Sequence, residues 1–225
     1  MDWIKIRNNS DKPELISARS VQFTIGFLGF IFPLLLIVVA AVFSNCQNVQ
    51  NSISAYYHTI SRNVFVGVLC AISLSLFAYR GYSRVDNLVG NLAAASALGV
   101  AFFPTSLDAP FTPCLPTVFD NGMVSTFHFL SAAVLFVCFS FFSLLLFTKS
   151  KGTKSKVKII KNRIYRTCGF IMLACIGLIA IYFGFQEKLI QSLEKFRPVF
   201  WLESLALWAF SISWLTKSEY FHREE

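Results

Sequence analysis

The sequence is poor in charge: Asp, Glu, Lys and Arg make up 14% of its 225 residues, against roughly 25% in soluble domains. It is poor in histidine too, with three in all and no HExxH-type pair, so no short spacing announces a metal site. Low-complexity linkers, internal repeats and long polar segments are also missing. The stretches between apolar runs stay under about 25 residues, which leaves no room for a separate soluble domain and makes residues 1–225 one unit.

What is there instead is apolar. Hydrophobic residues reach 55% and mean hydropathy is +0.59. Crossing ~30 Å of hydrocarbon at 1.5 Å per residue needs about 17 to 25 apolar residues. Six runs meet that length, predicting spans at about 21–43, 63–80, 88–104, 123–148, 167–185 and 198–216. The fold class expected is all-α, a polytopic membrane bundle of six transmembrane helices. The first run is too long for a signal-peptide core and "VFSNC" at its end lacks a small-residue cleavage pattern, so it reads as a retained span.

Cytoplasmic loops carry the excess of Lys and Arg. Alternating the six spans puts 16 of them on one side and four on the other, Arg62, Lys188, Lys195 and Arg197. Both termini are therefore expected in the cytoplasm, with the protein in the plasma (inner) membrane. The net charge of +8 sits mostly in short juxtamembrane loops, which argues against nucleic acid as a partner. The 149–166 basic loop reads as a topology signal that also suits anionic head groups.

Four of the six cysteines fall inside spans, where they pack; Cys46 and Cys114 fall in the two outer loops after spans one and three. A disulfide between those two would form if that compartment is oxidising. Span three, "LVGNLAAASALGVAFFP", places Gly90 with Ala94 and Ala95 with Gly99, small residues four apart that allow close helix approach. It is expected at the centre of the bundle.

The unusual polar residues gather at the outer face. "SISAYYHTISR" supplies Tyr56, Tyr57, His58 and Arg62, Asp108 follows span three, His128 lies one turn into span four, and Glu203 lies five residues after Pro198. An ionisable residue inside a span turns toward a partner or water, and Arg62 is the partner expected for Glu203. Three functions fit these residues. In the first, a lipid or amphiphilic small molecule is bound in an outer pocket, Arg62 gripping its phosphate or carboxylate and the tyrosines lining the mouth or forming an interfacial belt. In the second, zinc held by His58, His128 and Asp108 or Glu203 drives hydrolysis of lipid or amide bonds. In the third, Glu203 and His128 titrate in a proton-linked transporter. No cofactor is required by the first. Ser54 or Ser61 with His58 and Asp108 is a further nucleophile set, and its spacing fixes nothing.

The segments "SISAYYHT", "RNVFVG", "YRGYSRVDNLVGNLAA", "FFPT", "HFLSAA" and "WLESLALWAFSISWLTK" resemble those of an uncharacterised family of bacterial six-span integral membrane proteins. Through "SIS", here Ser52, Ile53 and Ser54, that family is distantly similar to the six-span group of damage-regulated autophagy modulators and GPI-anchor-remodelling proteins. This resemblance implies lipid handling near one leaflet. Alkaline ceramidases and progestin/adiponectin-type receptors offer a second comparison, from which the chain departs. It lacks their seventh span and has no HxxxH in the last span, and its outer face holds two histidines rather than three.

Overall fold

The computed structural model describes residues 17–44, 46, 48–107, 114–116, 119, 121–149, 155–184 and 193–218. Within these, six long helices follow one another: α1 Ala18–Ser44, α2 Arg62–Ala78, α3 Arg84–Phe102, α4 Gly122–Phe141, α5 Lys156–Gly184 and α6 Pro198–Ser218. Short 3-10 turns at Ser54–His58 and Glu194–Phe196, and a π turn Phe142–Leu146 continuing α4, complete the order. Among the described residues there is no strand, only an isolated antiparallel bridge between Leu107 and Phe119.

Several helix starts have a local reason. Ser83 and Asp86 form a reciprocal capping box at α3, the Ser83 hydroxyl accepting from Asp86 N and the Asp86 carboxylate from Ser83 N, so two orphan amide donors are satisfied. Asn121 caps α4 by accepting from the Met123 and Val124 amides at 3.1 and 3.2 Å. At α6 the main-chain carbonyl of Asn51, in the first loop, accepts from Phe200 N at 3.1 Å.

The helices form a closed ring in sequence order, each packing on the next, and α6 returns between α5 and α1. Two glycines explain how closely α1 and α6 meet. A Cβ built on Gly26 would lie 2.9 Å from Leu215 N and 3.0 Å from Ser211 O, and one on Gly29 would lie 2.7 Å from the Ser211 hydroxyl. Backbone therefore sits against backbone, which is how helices gain dispersion energy where apolar burial no longer drives them together. Close to Pro33, which cannot donate to the helix ladder, the Trp208 indole N–H donates to Phe30 O at 3.1 Å. The expectation that span three is central does not hold. The most apolar stretch of α6 is 56% buried against 39% for α3, because α6 is held by α1 and α5 along its length. The small residues of α3 serve both its neighbours: the Ser73 hydroxyl of α2 donates to Ala94 O at 2.8 Å, and a Cβ on Gly99 would run into the Ser131 side chain of α4.

Five helical segments among the described residues are long and apolar enough to cross a membrane: α1, α3, α4 with its π turn, α5, and α6 with the preceding turn. The sixth expected span, α2, is an apolar helix of 17 residues, about 26 Å long by helical rise. Large apolar side chains such as Val38, Leu74, Leu130 and Val137 lie exposed on the outside of the ring. Such a surface is far more apolar than solvent-facing helices tolerate. The chain thus has the make-up of a multi-pass integral membrane protein. The basic stretch differs from the loop expected over 149–166, since α5 begins at Lys156. At 29 residues it outruns the hydrocarbon by roughly 14 Å. Its protruding turns present Lys158, whose ammonium donates to Phe147 O at 2.8 Å and so caps the end of the preceding helix.

Candidate functional site

The site is built at the end of the ring where α1, α3 and α5 finish and α2, α4 and α6 begin. The motif "FFPT" starts it. A residue before proline is pushed out of the helical region, and Phe103 accordingly ends α3 in an extended conformation, φ −101° and ψ 104°. Its carbonyl turns away from the helix and accepts from His128 Nδ1 at 2.6 Å. Two residues on, Thr105 O accepts from His58 Nε2 at 2.8 Å. One short proline-broken segment thus holds both imidazoles by their N–H groups.

The first loop dives into the bundle instead of lying over it. His58 and Ser61 are 0% exposed, Tyr56 1% and Ser54 8%. The Ser61 hydroxyl donates to Leu36 O of α1 at 3.0 Å, and Tyr56 packs against Phe200 of α6 with ring centres 6.0 Å apart. The Tyr56 hydroxyl accepts from Gln50 N at 3.4 Å, yet burial outweighs that bond and pushes its pKa up. Ile53 N donates to a Glu203 carboxyl oxygen at 2.5 Å, so the half-buried acidic residue of α6 pins the loop. The Ser54 hydroxyl in turn meets His128 Nε2 at 2.8 Å.

A cavity of about 330 Å³ opens beside these groups, between the first loop, residues 105–107, α4, α5 and the start of α6. Ser54, His128, Glu203 and Arg197 give it polar walls, while Phe129, Phe183 and Val199 give it apolar ones. Phe129 and Phe183, from α4 and α5, have ring centres 5.9 Å apart and are 49% and 44% exposed on the outside of the bundle. The apolar wall is thus continuous with the surface a bilayer would cover.

Of the expected site residues, His128 and Glu203 line this cavity. Tyr56, Tyr57, His58 and Arg62 are not among its lining residues, although His58 and Tyr56 support the loop that is. Asp108 lies outside the described residues. The expected Arg62–Glu203 pair is not formed. Arg62 donates to the Tyr57 hydroxyl at 2.7 Å and lies 4.4 Å over the Tyr57 ring, a cation–π stack that holds it at the head of α2, while Glu203 is taken by the Ile53 amide. Arg197 is the cation among the described residues lining the cavity, and Asn51 Oδ1 accepts from it. It is also a non-glycine residue with positive φ, 51°, a conformation costing about 1–3 kcal/mol. The sequence signals neither fact, since Arg197 stands among several charges just before Pro198.

Among the described residues no three His, Cys, Asp or Glu side chains come together as a metal-ligand set. His58 and His128 both commit a ring nitrogen to a backbone carbonyl. Cys46 and Cys114 are joined as a disulfide with Cα atoms 5.2 Å apart, tying the start of the loop after α1 to the loop after α3. Compared with known protein families, curated proteins and solved structures, the chain matches none.

Proposed function

We propose that the chain is a six-span inner-membrane protein with both termini in the cytoplasm, and that its outer-face cavity binds a lipid or similar amphiphile. It would then belong with the bacterial six-span family its segments resemble. The observation that carries the binding reading is the two-sided wall of the 330 Å³ cavity. Its volume is at the lower end of small-molecule sites, enough for a head group and the first part of a chain. Arg197 supplies a guanidinium suited to a phosphate or carboxylate. An acyl chain leaving between Phe129 and Phe183 would pass directly into the hydrocarbon.

The topology rests on the 16-to-four division of Lys and Arg, with α2 completing the sixth span between α1 and α3. The basic turns of α5, Lys156 to Arg166, would then meet anionic head groups of the cytoplasmic leaflet. Binding is tested by native mass spectrometry of detergent-purified protein. The wild type should retain an amphiphile that Ala132→Trp, which fills the cavity from α4, expels. A wild type with no retained amphiphile, or a variant that keeps it unchanged, overturns the reading.

A further inference from the structure

The Ser54–His128 contact is arranged as a nucleophile and its base. Phe103 O is a carbonyl and can only accept, so His128 Nδ1, 2.6 Å away, carries the proton in the neutral ring. The lone pair of Nε2 then faces the Ser54 hydroxyl at 2.8 Å. This is the tautomer and spacing a general base needs to take a serine proton, with a backbone carbonyl orienting the imidazole where a carboxylate often does. Both residues line the cavity. Buried serines elsewhere are spent differently: Ser61 and Ser73 give their hydroxyls to main-chain carbonyls of neighbouring helices. Ser54 is also held in place from both sides. Ile53 N is fixed by Glu203 and Ala55 N by the Ser52 hydroxyl at 3.0 Å.

We propose that Ser54 and His128 form an acyl-transfer site acting on a carboxylic ester of the amphiphile in the cavity; this rests on the binding reading above. Ser54 Oγ adds to the ester carbonyl while its proton passes to His128 Nε2. The tetrahedral adduct collapses with cleavage of the bond to the leaving alcohol oxygen, which takes the proton back from Nε2. The acyl group is then on Ser54. Water attacks it, giving a proton to Nε2 that returns to Ser54 Oγ as the carboxylic acid leaves. The sum is ester plus water to acid plus alcohol, with no change of oxidation state and no metal needed to balance it.

The test is phosphonylation by a long-chain alkyl fluorophosphonate, applied to the full chain in mild detergent and read by peptide mass spectrometry. The wild type is expected to carry the adduct on Ser54. His128→Gln should slow labelling at least about 100-fold, the usual scale of a general base. Should Ser54→Ala fail to fold, Ser54→Cys serves instead. Its thiol should be alkylated by iodoacetamide above the wild-type background, and adding His128→Gln should slow that at least about 10-fold. A wild type that retains its amphiphile but takes no label at Ser54, or a Ser54→Cys alkylation rate indifferent to His128→Gln, overturns the acyl-transfer proposal and leaves the pair as a latch between the first loop and α4. Loss of the amphiphile reading shows up separately, as wild-type protein without bound lipid.

Discussion

Replacing Gly26 by alanine tests whether backbone-to-backbone packing of α1 and α6 holds the ring closed. The added methyl would lie 2.9 Å from Leu215 N and 3.0 Å from Ser211 O. Both are main-chain atoms, so no side chain can swing aside, and ordinary contact requires the helices to part by about 0.5 Å. A gap of that size forfeits roughly a quarter of the dispersion well of each contact across it. The expected cost is about 1–3 kcal/mol, as for other overpacked interiors. Against it stands the intrinsic preference for alanine over glycine in a helix, up to ~1 kcal/mol. Gly177→Ala on α5 isolates that second effect, because nothing lies within 4 Å of its new methyl. Thermal unfolding in detergent, followed by a thiol-reactive dye that reports exposure of the buried Cys168 and Cys175, should show Gly26→Ala melting lower and Gly177→Ala equal or higher. A Gly26→Ala protein at least as stable as the wild type would refute the close crossing.

Other consequences are as direct. Reduction of the Cys46–Cys114 disulfide, which closes a separation of 68 residues, should lower stability by up to ~4 kcal/mol on chain-entropy grounds. It should also slow migration on a denaturing gel, and unchanged mobility would contradict the bridge. Asp86→Ala removes one half of the α3 capping box and the partner that Lys149 meets at 3.6 Å. A loss of about 1 kcal/mol is expected, almost all of it from the cap, read in the same melting assay. Arg197→Ala should cut retention of an amphiphile with a phosphate or carboxylate head while sparing an uncharged one, measured by native mass spectrometry; equal retention would remove Arg197 from the head-group site. Reporter fusions at either terminus should be active only in the form that works in the cytoplasm, and a periplasmic signal from either would overturn the proposed topology.

The helices were legible because each carries a long apolar run. The convergence of His128 and Glu203 was legible as well, since an ionisable residue one or two turns inside a span has to turn inward. The partners were not. Arg62 was expected to be one of the few outer basic residues, but its neighbour five residues back, Tyr57, takes it locally, a competition that depth in the membrane does not reveal. Arg197 was hidden because its role comes from the turn it makes before Pro198, not from a spacing. Ser54 was named as a nucleophile candidate beside His58, whereas the structure brings its hydroxyl against His128. Choosing His128 over His58 requires knowing that Pro104 aims the Phe103 carbonyl at the α4 ring. The deeper burial of α6 was not read from its sequence; Ser204 and Ser211 return their hydroxyls to the carbonyls four residues earlier in the same helix, leaving a surface that packs as an apolar one.

The binding account is tested most directly by a photoactivatable lipid incorporated into membranes holding the protein, with the cross-linked peptides mapped by mass spectrometry. Cross-links concentrated on the α4–α5 opening at Phe129 and Phe183, continuing to the first loop around Ser54 and suppressed by Ala132→Trp, are the predicted result. Cross-links spread over the outer belt at Val38, Leu74 and Leu145, with none inside the cavity and no response to that substitution, would contradict it.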